Sequence, residues 1–157
     1  MSTPLRALTE RMFAAVEAKD LDASLQCIAD DAVFIDPHYP SQAMIGKPAI
    51  TDGLRWAFKG MKQFGFEIVN YIESSDGQHA AIEMATHHVL QTGMHLRFSQ
   101  AFFVDAQGDL ITRLQAYEPY SPSGIVGVVL GVTRLQRRLR GQSGLRIGDT
   151  PGTAKRK

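Results

Sequence analysis

Asp36 and His38 flank Pro37 in the run Ile35-Asp36-Pro37-His38-Tyr39-Pro40, and a carboxylate beside an imidazole can take and give a proton near neutral pH. Ile28-Ala29-Asp30-Asp31 before them reads as the end of a helix, and Ala32-Val33-Phe34-Ile35 as a short apolar strand. A strand that buries Val33 and Phe34 delivers Asp36 to the rim of whatever it encloses. Leaving water disfavours the charged carboxylate, so the Asp36 pKa is expected to rise towards the range useful to a general base. The same residues also suit a plain Asx turn, with Asp36 capping the step before Pro37 and His38 at the surface.

Further polar groups fall on faces that alternation assigns. Ala80, Ile82, Met84, Thr86, His88 and Leu90 share the strand face opposite Glu83 and His87, so His88 is the inward member of the His87-His88 pair. It is either a hydrogen-bonded core histidine or a second acid/base. Adjacent histidines on a strand point apart and cannot chelate one ion together, and no other spacing resembles a metal site, so neither metal nor cofactor is expected. Gln100 interrupts the apolar row Leu96, Phe98, Phe102, Val104; its amide is satisfied by a neighbouring strand or placed for a ligand. In the last strand Leu110, Thr112, Leu114 and Ala116 form the more apolar face, and Ile111, Arg113, Gln115 and Tyr117 the other. Periodicity alone does not say which set lines a pocket.

These groups are positioned by helices followed by strands. Thr3-Pro4 opens a helix with Leu5, Leu8, Met12, Ala15 and Val16 on one side. A second helix starts near Asp20 and carries Leu25 and Ile28 towards Asp31. Lys47-Pro48 opens a third, with Ile50, Leu54, Ala57, Phe58 and Met61 aligned. From Phe64 the period becomes two, with Phe64, Phe66, Ile68, Asn70 and Ile72 on one face, and turns at Ser74–Gly77, Gln91–Gly93 and Ala106–Asp109 divide a meander. The expectation is an α+β domain over residues 1–120: three helices laid on a strongly curved antiparallel sheet, with a pocket between the layers.

With 157 residues, 44% of them hydrophobic and 21% charged, the chain has the composition of one soluble globular domain. It carries a single cysteine, Cys27, read as a small buried hydrophobe; with no leader-like start or membrane-length apolar run, a cytoplasmic location is expected. Residues 1–133 hold nine basic residues against fifteen acids, which argues against nucleic-acid binding by the body. From Arg134 onward there are eight basic residues against one acid, Asp149. A basic amphipathic helix is expected over 121–140 and a disordered basic tail over 141–157.

The chain resembles the nuclear transport factor 2-like superfamily, and within it the SnoaL-like and ketosteroid isomerase-like proteins. The carrying segments are Arg11–Asp22, Ala29-Asp30-Asp31-Ala32 running into Asp36-Pro37, and Ile45–Ile50. The resemblance implies a cone-like α+β barrel and makes Asp36 the base that moves a proton between carbons; His88 would then be a second acid/base or an orienting group. The isomerases' enolate-binding tyrosine falls on Met12 and their protonated aspartate on Gln100; the second aspartate of limonene epoxide hydrolases falls near Gln115. It also turns Arg113, Gln115 and Tyr117 towards the cavity beside His38, Tyr39 and Gln100, with Phe34, Trp56, Phe98 and Phe102 as apolar wall. A homodimer through the exposed sheet face is implied as well.

The function expected is cofactor-independent isomerisation, cyclisation or hydration of an apolar oxygenated metabolite, such as a polyketide or steroid-like compound. The alternatives are a non-catalytic pocket that binds a small ligand, or a dimerisation platform of the same fold. The basic C-terminal helix either packs across the pocket mouth or contacts a membrane or protein.

Overall fold

The structure, a computed structural model, describes residues 2–118 and 124–141. Helix α1 (Pro4–Glu17) starts where expected: Thr3 Oγ1 accepts from Arg6 N, Pro4 takes the first turn, and Leu5, Leu8, Met12, Ala15 and Val16 are buried. Helix α2 (Leu21–Gln26) is capped by the Asp20 side chain, which accepts from Ala23 N at 2.9 Å. It stops earlier than its sequence suggests. Cys27 O accepts from Ile111 N, and Ile28 already belongs to strand β1 (Ile28–Ile35), so pairing across the molecule overrides the local helical pattern.

After β2 (Ala43–Ile45), helix α3 (Lys47–Gly60) buries Ile50, Leu54 and Ala57. Met61, expected on that helix, instead begins β3 (Met61–Gln63) and pairs with Leu90. Then come β4 (Phe66–Glu73), β5 (His79–Leu90), β6 (His95–Gln107), β7 (Leu110–Tyr117) and helix α4 (Gly124–Leu139). The sheet order is β2-β1-β7-β6-β5-β3, with β4 also on β5. This is the expected α+β fold on a curved sheet, but the sheet is mixed and unclosed: β1 runs parallel to β7, with Phe34 beside Leu114 and Ile35 beside Gln115. The parallel register brings the C-terminal ends of β1 and β7 to one rim.

Two bulges reassign faces. In β4 an extra residue between Ile68 and Asn70 ends the expected Phe64–Ile72 face after Ile68; Ile72 is 68% exposed, and Tyr71 packs on the core in its place. Between β6 and β7 the register shifts at Asp105/Ala106, which buries Ile111 together with Leu114 and Ala116. The core fills the space between the α1–α3 layer and the concave face of the sheet, with Phe13 against Phe66 and Phe102. The expected 141–157 tail lies, from residue 142, outside the described residues.

Candidate functional site

A cavity of about 660 Å³ opens between the helices and the sheet. Ten of the residues singled out from the sequence line it: Asp36, His38 and Tyr39 after β1, Phe34 on β1, Met12 on α1, Trp56 on α3, His88 on β5, and Phe98, Gln100 and Phe102 on β6. Arg113, Gln115 and Tyr117 do not. They project from the outer face of β7, because the buried Leu114 and Ala116 take the inner positions of a period-two strand. There Arg113 contacts Gln115 and Asp105, and Tyr117, 48% exposed, packs edge-on against Phe103. The resemblance had turned the other face inward; the structure buries the more apolar one, a choice that periodicity alone had left open.

Alternation along β7 reaches one residue further than the strand itself. Leu114, Ala116 and Glu118 share a parity, and Glu118 lines the cavity with a side chain only 6% exposed. Its place beside Asp36 follows from the parallel β1–β7 register. His38 lies between the two carboxylates: Nδ1 is 3.6 Å from Asp36 Oδ1 and in close contact with Glu118 Oε1. That second approach is an ion pair, and among the described residues no other donor reaches the buried Oε1. Arg134 of α4 adds a cation nearby and donates to Pro37 O at 2.7 Å.

Asp36 is both the turn cap and the desolvated carboxylate. Its Oδ1 accepts from His38 N at 2.8 Å, as in an Asx turn, while its side chain is only 16% exposed. Burial pushes its pKa up to about 6; the His38 backbone bond and the His38 charge oppose this, and the Glu118 charge adds to it. Burial pulls His38 down, but contact with Glu118 and the charge of Asp36 outweigh it and hold the imidazole above its ordinary value, against Arg134. Tyr39 is pushed up by burial and then by Asp36, so its hydroxyl stays protonated.

The far wall is chemically different. His88 sits edge-on to Phe64, Phe66 and Phe98, with ring centroids 5.0–5.8 Å away. Burial, and then the charge of His38, bring its pKa down to about 4, so it is neutral at pH 7. Its Nδ1 accepts from Gly65 N at 3.3 Å, which places the ring proton on Nε2. Close backbone approach makes this possible: a Cβ on Gly65 would meet His87 O at 2.6 Å. His38, not His88, is the histidine within ion-pair distance of Asp36. Gln100 donates from Nε2 to Thr86 Oγ1 at 2.7 Å, so the neighbouring strand holds the amide in place at the cavity wall.

Asp36, His38 and Glu118 each offer one ligand atom within 4.8 Å of the others, a grouping that no sequence spacing revealed. A divalent ion there would displace the His38 proton and sit within the field of Arg134.

A helix-and-sheet cone around a polar-rimmed apolar cavity matches what the comparisons with known proteins return. A family model described as the SnoaL-like domain matches residues 9–114, more than half of the chain. The chain belongs to the SnoaL-like family. No curated protein sequence matches this SnoaL-like chain. Among solved structures it is similar to Δ5-3-ketosteroid isomerase from Mycobacterium sp., at 20% identity over 73% of this chain and 92% of that one, TM-score 0.66. It is similar to a Mycobacterium tuberculosis protein in complex with estradiol-17β-hemisuccinate, at 20% identity over 74% and 94%, TM-score 0.66. A third similar structure, from Xanthomonas campestris pv. campestris and proposed as a polyketide cyclase, has 20% identity over 73% and 89%, TM-score 0.65. At this identity the likeness establishes the SnoaL-like fold; the chemistry has to be argued from the site.

Proposed function

We propose that this SnoaL-like protein is a cofactor-independent acid/base enzyme acting on an apolar, oxygenated metabolite, with Asp36 as the base. The observation that carries this reading is a carboxylate with a pKa of about 6 on the rim of a largely apolar cavity of about 660 Å³. That volume suits a ligand of steroid or polyketide size, and similar folds hold an estradiol derivative or act on ketosteroids.

In the step proposed, the Asp36 carboxylate removes a proton from carbon next to a carbonyl, and the electron pair moves onto the carbonyl oxygen. The neutral His88 supplies an Nε2–H as donor to that oxygen, and Gln100 supplies the Nε2–H that Thr86 does not take. Asp36 then returns its proton to another carbon, so the net change is an isomerisation with no redox partner. His38, held by Glu118, offers the proton that a cyclisation or hydration would need. Asp36→Asn tests the reading: wild-type protein should exchange the α-protons of an apolar cyclic enone in D2O, and the variant should lose roughly 10²–10⁴ of that rate while still binding. Equal exchange by both proteins would sink it.

A second reading, a non-catalytic pocket, draws support from Met12, which offers no hydrogen to an enolate, and from polar groups already paired with one another. It requires ligand affinity insensitive to Asp36→Asn and no exchange by either protein. For the assembly, we propose a homodimer through the outer sheet face where Phe103 and Tyr117 stand exposed; a monomeric mass in solution would dismiss it.

A further inference from the structure

Helix α4 has two faces with opposite environments. Leu130, 3% exposed, lines the cavity, and one turn on Arg134 bonds Pro37 O beside Asp36; Thr133 and Arg137 share this half-buried side. The opposite side carries Val128, Val132, Leu135 and Leu139, spaced by four, three and four residues into one stripe. All four are exposed, from 50% at Val132 to 80% at Leu139. Nothing among the described residues covers them, whereas the other face meets the cavity through Leu130 and Pro37 O through Arg134.

What covers such a stripe can be argued from charge. Arg138 and Arg140 flank it, also exposed, and no acidic residue occurs on α4. From Arg134 to the last residue the chain carries eight basic side chains against Asp149 alone, while residues 1–133 are acidic on balance. An apolar stripe bordered by arginines fits an anionic lipid surface, where valine and leucine enter the headgroup boundary and the guanidinium groups meet phosphates. A second copy would bring the same basic segment against itself, where like charges repel. No described helix is long and apolar enough to cross a membrane, so the contact is one of lying on the surface.

We infer that α4 seats this protein on anionic membranes through Val128, Val132, Leu135 and Leu139, with Arg138 and Arg140 at the headgroups. The inference stands apart from the reading of Asp36, since it uses the other face of the helix. Its consequence for the cavity is positional. The element on the lipid is also the one that touches the cavity rim, so the pocket mouth lies near the phase in which apolar molecules concentrate.

The test is co-sedimentation of the full chain with phosphatidylcholine vesicles containing phosphatidylserine, beside pure phosphatidylcholine vesicles. Expected is binding to the anionic vesicles that weakens with salt, and several-fold less pelleted protein for Leu135→Asp/Leu139→Asp and for Arg138→Glu/Arg140→Glu. Lys62→Glu, an exposed charge away from α4, should pellet as the wild type does. Both double variants change exposed side chains, and unchanged thermal melting would show that the fold is kept. Absence of binding to anionic vesicles, or binding that both double variants retain, overturns the inference. So does a stripe variant that changes the oligomeric mass but not the pelleted fraction, because a second copy would then be what covers the stripe.

Discussion

His38 and His88 line one cavity, each within 6 Å of the Phe98 ring centroid, and their pKa values move in opposite directions. His38 has two carboxylates within reach, which favour its charged form; His88 has three aromatic edges and a backbone amide, which favour its neutral form. Burial disfavours the charged imidazole at both places. The difference is the company each keeps, so a single cavity offers a proton on one wall and a neutral N–H donor on the other.

The aromatic wall breaks with the largest effect. Phe64→Ala should cost about 3–5 kcal/mol in chemical denaturation, as a large-to-small core change does. It should also let the His88 pKa climb towards its ordinary value in an NMR titration; a His88 that still titrates near 4 would mean the rings do not set it.

On the other wall, Glu118→Gln removes the carboxylate that helps hold the His38 proton. At pH 6 the loss should be about 2 kcal/mol, the scale of a hydrogen bond to a charged group. A histidine whose folded pKa is raised contributes stability that is full below its unfolded value of about 6.5 and fades as pH rises through the folded value. The penalty should therefore shrink at pH 8, and equal penalties at both pH values would disconnect Glu118 from the His38 charge.

The two walls also oppose each other in their pH dependence. The folded Asp36 pKa of about 6 lies above the unfolded value, so the native state takes up a proton first and stability rises as pH falls from about 6 towards 4. The folded His88 pKa of about 4 lies below its unfolded value, so stability falls over much of the same window. Asp36→Asn should leave a net loss towards acid and His88→Gln a net gain, each roughly 1–3 kcal/mol between pH 7 and 4.5, read from urea midpoints. Identical slopes in the two variants would remove the contrast.

The smallest effect belongs outside the cavity. Arg113→Ala should leave small-ligand affinity unchanged and move stability by only about 0.5 kcal/mol. A large loss of affinity would return the outer face of β7 to the site.

Much of this was legible in the residues themselves. Period-two patterning placed His88, Gln100, Phe98 and Phe102 inward, and Asp36 was marked by a strand ending at Asp-Pro. The same rule, carried two residues past Ala116, leads to Glu118, which the parity implied by the resemblance would have turned outward. What the sequence hid is what depends on distant partners. The bulge after Ile68 changes faces with no glycine or proline to announce it, and Ile28 leaves a helical pattern because β7 pairs beside it. The Asp36–His38–Glu118 grouping rests on a parallel pairing that no local pattern encodes.

That pairing also sets when the site can exist. Strand β1 is made well before its neighbour β7, so a nascent chain emerging from the ribosome carries Asp36 and His38 long before Glu118 arrives beside them. Closing so long a loop is slow, because chain entropy is lost before the contacts repay it. The acid/base cluster thus waits for β7, and a chain truncated before that strand would lack the Glu118 charge that helps raise the Asp36 pKa.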